Sequence, residues 1–534
     1  MRNALTGSTA RGARNSFRGV KTLARGVSIP APSMGWDAIT PLASMDQTFA
    51  VRLDNFFPQP GYVEVRKGHR LHNTLAPVAS PVETLMAYNG LTVGADKLFA
   101  AAGGAVYDVT ATTTATISAS LTGLSSARLQ HINFSTSGGN YLWFCNGVAA
   151  PRMWDGAAWS APVISGVSST SIANVAAYSE RIWMCINGSI SPYYLPSDSI
   201  QGTATQFDLS GVFSRGGFLQ AIAAWSRDGG QGPDDNVAFI TSRGEVAIYT
   251  GDPQRNMEIA GVYAMGSPLG RRCASSSGTD VAVLCVDGVV PLSRAISTDR
   301  AAILNSTITA RIQPVMNQSA RDYGAAFGWQ FLSYPRGTRA ILNVPVVENL
   351  TQVQYIMNTV TGAWCQFLGE KANCWELYKD RLFYGGNAGQ VIEADCQGYD
   401  HDGTISFDME TAFSYCGTKG RLKDFTMARA ALVTDGKATL GMSMNVDFAR
   451  NTAVNALTFA AGPVSLWGSA IWGSSLWSAG AYSVLDWTSQ AGEGYCAGIH
   501  MAGSLVADAL TAASSPATLQ VNGFDVLVID GGFV

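Results

Sequence analysis

The chain has 534 residues, of which 47% are apolar and only 14% charged, with 57 glycines. That length supports a large buried core or several domains, and the apolar content excludes dominant disorder. The formal net charge of −4 hides an asymmetry. The cations Arg2, Arg11, Arg14, Arg18, Lys21 and Arg25 all precede the first acid, Asp37, which leaves 29 basic against 39 acidic residues on the remaining chain.

Residues 1–45 read as a basic arm and linker. The first 28 lack the apolar stretch of a secretory signal and show no sustained period, and Ile29-Pro30-Ala31-Pro32 forms an extended spacer. No run of 18 apolar residues exists, so no spanning helix is expected. The arm suits a strap that docks on a partner's acidic surface. A nucleic-acid tether and a solvated tail are the other readings.

Residues 46–403 carry a recurring unit of short β-rich runs joined by glycine turns. Its copies are Lys97–Ala100 turning at Gly103-Gly104 into Val106–Val109, Tyr141–Cys145 before Asn146-Gly147, and Arg181–Ile186 before Asn187-Gly188. Val237–Ile240 then turns at Arg243-Gly244 into Val246–Tyr249, Val281–Cys285 turns at Asp287-Gly288, and Arg381–Tyr384 turns near Gly385-Gly386 into Val391–Ala394. A further unit fits over Gln330–Tyr334, Ala340–Val344 and Tyr355–Asn358. Asn-Gly and Asp-Gly suit two-residue hairpin loops because both positions take positive φ. A spacing near 40 to 50 residues predicts a β-propeller of six or seven blades. Trp154, Trp159 and Trp364 fall on outer strands and are expected to pack between blades.

From residue 404 to 534 the repeat stops. Ile405–Ala412 and Ala428–Asn445 predict longer strands of an additional sandwich or barrel-like β domain, and Ala517–Ile529 reads as a strand pair hinged at Asn522-Gly523. Trp467, Trp472, Trp477 and Trp487 fit neither a helix nor a strand face. They are assigned to packing or a subunit seam, with a sugar-binding patch as the other reading.

Catalytic chemistry is sought and not found. The five histidines include one close pair, His69 and His72, with no acid triad nearby. There is no nucleophile elbow, zincin motif or phosphate loop. Asp395, Asp400, Asp402 and Gly403 lack the alternating ligand series and closing Glu of a calcium loop. Asp228, Asp234 and Asp235 could serve a glycosidase, but no sialidase-type repeat accompanies them. No catalytic residue, cofactor or metal is expected. The nine scattered cysteines, without a CxxC pair, read as reduced and mostly buried thiols.

Several segments resemble a known family. Ala50–Pro58 with Gly61–Gly68 is similar to the N-terminal signature of the tail nozzle proteins of short-tailed bacteriophages. Glu83–Tyr88, Arg128–Phe134, Trp183–Pro196, Phe213–Gly217, Gly270–Cys273, Asp287–Leu292 and Met357–Trp364 continue the likeness over roughly 45–400, while 420–534 match only loosely. The resemblance implies a structural protein of the virion tail, made in the host bacterial cytoplasm and assembled as a homo-hexamer. It would dock to the portal-adaptor complex, mount tail fibre or needle and plug proteins, and pass DNA through its lumen without sequence-specific binding or membrane insertion. The competing expectation is a glycan-binding or depolymerase propeller on the virion surface.

Overall fold

The computed structural model describes residues 23–76, 80–228, 233–278, 280–297, 300, 307–435, 438–450, 454–457, 482–505 and 519–533. The fold is a seven-bladed β-propeller fused to a β-sandwich. The blades' inner strands are, in order, Val82–Tyr88, Gln130–Thr136, Ile172–Tyr178, Leu219–Asp228, Ala274–Ser277, Gln330–Tyr334 and Cys374–Tyr378. Each begins an antiparallel meander of three or four strands. In blade one, Gly103 and Gly104, at φ +53° and +81°, form the expected two-residue link. The links at Asn146 and Asn187 are longer. Asn146 Oδ1 instead accepts the backbone N–H groups of Val148 and Ala149, so the asparagine builds a local side-chain turn.

The seventh blade closes the ring. Its strands Cys374–Tyr378, Arg381–Gly385 and Gln390–Gln397 come from the end of the propeller, and its outer strand, Gly68–Leu75, comes from the start. Apolar clusters fill the wedges between blades. Phe99, Phe144, Trp154 and Trp159 form an aromatic cluster between blades one and two, with ring centroids 4.9–5.5 Å apart, and Trp364 is buried against blades five and six. The expected tryptophan packing therefore holds. Between blades six and seven the core does not end. Tyr334, Ile341, Trp375 and Tyr384 share one cluster with Phe56, Phe407, Met409, Phe425, Met501 and Val526 of the sandwich.

The sandwich contains more of the chain than residues 404–534. One sheet includes Phe56–Gln59, Tyr62–Val65, Leu519–Phe533, Arg421–Thr434 and Thr488–Gly494. The other runs from blade six through Ala50–Asp54 to Ile405–Thr411, Ala497–Leu505 and Ala438–Val446. The strand Arg25–Pro30, expected to be linker, pairs along Gly523–Val528. Thus the boundary expected near residue 46 lies instead near residue 67, and the propeller is an insertion in the sandwich. Leu519–Phe533 is one continuous strand, not a hinged pair, because it is hydrogen-bonded to neighbours on both sides of Gly523. No cysteine is disulfide-bonded, and all but Cys396 are buried.

The chain enters the propeller beside the point where it leaves. A Cβ on Gly68 would lie 1.9 Å from the Tyr399 carbonyl oxygen, a backbone clash that no rotamer change relieves. Gly68→Ala should therefore cost about 1–3 kcal/mol, read as a lowered urea midpoint of the full chain.

Candidate functional site: the junction and the propeller axis

Arg66 sits at this double crossing with its side chain fully buried. Its Nη1 and Nη2 donate to the two carboxylate oxygens of Asp400 at 2.9 and 2.6 Å, its Nε donates to Asn55 Oδ1 at 2.9 Å, and Glu370 lies 3.9 Å away. A planar guanidinium meeting one carboxylate through two bonds fixes orientation as well as charge. His69 bridges from the other side, with Nδ1 2.9 Å from Asp400 and Nε2 3.2 Å from Asp402. Asp402 also accepts from Lys371 at 3.1 Å. Nearby, Arg339 pairs with Asp395 at 2.8 Å, and its guanidinium lies 4.6 Å from the Phe57 ring centroid.

Burial raises the cost of charging Asp400, but its bonds to His69 and Arg66 outweigh it and hold the carboxyl well below the usual range. For His69, desolvation is opposed by the bond to Asp400, and the net direction is upward. Donor atoms of His69, His401 and Asp402 come within 4.8 Å of one another. Both nitrogens of His69 already face carboxylates, so the group reads as an ion-pair network. His72, the other member of the sequence pair, points elsewhere, bonding to the Val109 carbonyl and Thr112 at 2.9 Å each. The aspartates 395, 400 and 402 are thus brought together, but around arginine, lysine and histidine. Arg66 and Glu370 carry no sequence signal of this role.

A second seam lies at Asp54, whose backbone joins blade six at Gln366 and the sandwich at Asp408. Burial pushes its carboxyl up to about 7. Beside it, Arg52 pairs with Asp408 at 2.6 Å, His500 meets the same carboxylate at 2.9 Å, and Arg450 pairs with Glu410 at 2.5 Å.

The propeller axis is narrow. All seven inner strands line a cavity of about 200 Å³, where His131 and Glu376 face each other at 3.5 Å. At one end Arg272 crosses between blades, donating to the Glu83 carbonyl, Thr84 Oγ1 and the Leu129 carbonyl at 2.8, 2.6 and 3.4 Å.

Of the arm cations, Arg25 pairs with Asp530 at 2.9 Å and also donates to the Cys416 carbonyl. Arg2, Arg11, Arg14, Arg18 and Lys21 lie outside the described residues, as do Trp467, Trp472 and Trp477. Trp487 is 36% exposed and carries the Arg429 guanidinium 4.7 Å from its ring centroid. Asp228, Asp234 and Asp235 lie on the blade-four hairpin strands.

No family model matches the chain, and no curated protein matches it. Among solved structures it is similar to BBS1N in complex with ARL6DN, at 11% identity and TM-score 0.38, covering 62% of this chain and 97% of that one. It is also similar to YCF48 bound to D1 peptide, at 10% identity and TM-score 0.36, covering 66% and 99%. The computationally designed Ika8 protein matches at 10% identity and TM-score 0.36, covering 64% and 96%. Among the described residues no helix is long and apolar enough to cross a membrane.

The two shifts at the junction act over different pH ranges. Asp400, depressed in the folded state, contributes stability above its unfolded value near 3.9, lost as pH falls through the folded value. His69, raised, contributes fully below about 6.5, and that share is lost as pH rises through its folded value. His69→Gln should therefore lower the urea midpoint clearly at pH 6 and much less at pH 9. An equal loss at both pH values would show that the charged imidazole contributes nothing.

Proposed function

We propose that this chain is a non-enzymatic component of a phage virion, a tail nozzle subunit that assembles as a closed ring, taken as a hexamer, through which the genome leaves. In this reading it docks to a portal-adaptor complex, and the basic arm is the strap. The observation that carries the reading is how many of the body's cations, most of them exposed or half-buried, are held. Arg52, Arg70, Arg128, Arg181, Arg300, Arg311, Arg381, Arg429 and Arg450 each lie against a carboxylate of the same chain. A duplex carries roughly one negative charge per 1.7 Å of axis, and a wall of free cations would grip it in a salt-dependent way. Cations neutralised within the subunit weaken that grip. The fused propeller and sandwich also suit a load-bearing ring, because one continuous core joins the two bodies.

In this reading the conduit runs between copies. The axial cavity of a single propeller, about 200 Å³ and crossed by side chains, is far too small for a duplex.

Electron microscopy and native mass measurement of the purified protein test the proposal. The expected result is a ring with an axial hole and six times the 56.4 kDa chain mass. Removal of residues 1–22 should leave the chain folded and abolish its capture by portal-adaptor rings. A persistent monomer without any hole, or specific shortening of capsular polysaccharide by the purified chain, would overturn it.

A further inference from the structure

Where Arg272 closes the propeller axis, the surface opens into a second cavity of about 320 Å³, lined by Arg128, Arg271, Arg272, Asn146, Phe327 and Trp329 among others. It sits at the entry ends of the inner strands. Arg128 directly precedes Leu129 and blade two, Arg271 and Arg272 precede blade five, and Trp329 precedes blade six. It shares Gln130, Arg271 and Arg272 with the axial cavity below.

The three guanidiniums are unequal. Arg128 is neutralised, donating to Glu83 at 2.9 Å and to Glu348, and Glu348 also accepts the Phe327 backbone N–H at 2.9 Å. Arg271 and Arg272 have only neutral acceptors. Arg271 reaches Asn187 Oδ1 at 2.6 Å and the carbonyls of Asn146 and Ala173 at 3.4 Å each. Arg272 has the Thr84 hydroxyl and two carbonyls described above, all through Nη2. Among the described residues no carboxylate lies within ion-pair distance of either.

Two adjacent cations without a direct ion pair are costly to hold in a protein cavity, and the cost falls on Arg272, whose charged form burial disfavours more than the more distant Glu83 and Glu376 favour it. A guanidinium has five N–H donors in a fixed fork that matches carboxylate and phosphate oxygens. With only Nη2 engaged, Arg272 keeps Nε and Nη1 for such a partner. The cavity also has an apolar wall. The Phe327 ring is held 4.3 Å from the Arg128 guanidinium and 5.0 Å from that of Arg272. Trp329 donates its indole N–H to the Tyr323 carbonyl.

We infer that this cavity at the mouth of the propeller axis is a binding site for a small organic oxyanion, a phosphate or carboxylate whose charged group meets Arg271 and Arg272 while its apolar part lies along Phe327. The inference is independent of the nozzle reading.

The test uses the purified full chain with inorganic phosphate, benzoate and phenyl phosphate, and sodium chloride at matched ionic strength as the control. Isothermal titration should show saturable binding of phenyl phosphate, tighter than that of inorganic phosphate. Thermal unfolding should shift upward with either in the manner of a native-state ligand, and not with chloride. Benzoate in place of phosphate separates a carboxylate preference from a phosphate one, and either supports the site. Arg271→Gln should weaken binding by about tenfold or more while leaving the unliganded unfolding midpoint near that of the parent chain. Arg271→Lys, which keeps the charge and loses the fork, should weaken it as well and serves if the glutamine variant does not fold. Absence of saturable binding for all three anions, or affinity unchanged in the Arg271 variant tested, would overturn the proposal.

Discussion

The structure depends on one buried contact, the two-bond pairing of Arg66 with Asp400 at the place where the chain passes into the propeller and out again. A buried ion pair is a poor source of net stability, since desolvation offsets most of the attraction, but leaving either member alone is strongly unfavourable. The pair therefore acts mainly as a constraint. With Asn55 on Nε, His69 on Asp400 and Arg339 on Asp395, it sets the register of the two crossings against each other. The apolar side chains around it can then pack in one way.

That constraint makes two bodies one. A propeller blade normally buries its faces only against its neighbours, and six of the seven wedges of this ring are filled in that way. The wedge between blades six and seven instead opens into the sandwich core, and blade six continues as a sandwich sheet through Asp54. Burial of Asp54, whose carboxyl is pushed up to about 7, marks a polar group retained at a seam where an apolar residue would cost less. Ring closure and sandwich completion both use strands from the beginning of the chain, Gly68–Leu75 for the one and Arg25–Pro30 for the other. Pairings of such sequence separation are entropically late to form, so ring closure and sandwich completion both fall late in folding.

The blades were legible because each is local. A hairpin announces itself within about twenty residues through alternating apolar positions and turn glycines, and Gly103-Gly104 behaves as its dipeptide suggests. Six or seven units could be placed from such signals, and the outer-strand tryptophans fall between blades as their size and apolar surface dictate. The sandwich was legible only in its C-terminal half. Nothing in Arg25–Pro30, which ends on a proline with Pro32 just behind it, reveals a partner some 500 residues away, and the same holds for the strands between 50 and 65. The junction failed for a related reason. Asp395, Asp400 and Asp402 drew attention as a cluster of acids, and the sequence invites a search for a cation among nearby ligands. Their partners are Arg339, Arg66 and Lys371, distant in the chain except for the last. Arg271-Arg272 was visible only as a dipeptide inside a family-like segment, because its significance is that no carboxylate comes within ion-pair distance, which only the folded chain shows.

The position of uncompensated charge separates the regions of the molecule. Many of the body's cations are met by a carboxylate of the same chain, which lowers the local field that would attract a polyanion. Two groups of cations without such a partner bear on function. The arm carries cations without a single acid before Asp37, and its first described cation, Arg25, is already anchored on Asp530 at the sandwich edge, so the strap reading gives it a fixed root. The propeller mouth carries Arg271 and Arg272 against neutral acceptors, in a space that admits a small molecule and no nucleic-acid duplex. Charge left unpaired in an accessible cavity is maintained at a cost to folding, and that cost is offset when an anion enters. The axial opening of this propeller is thus built to hold something small, while the passage of a genome, in the nozzle reading, belongs to the space that copies enclose together.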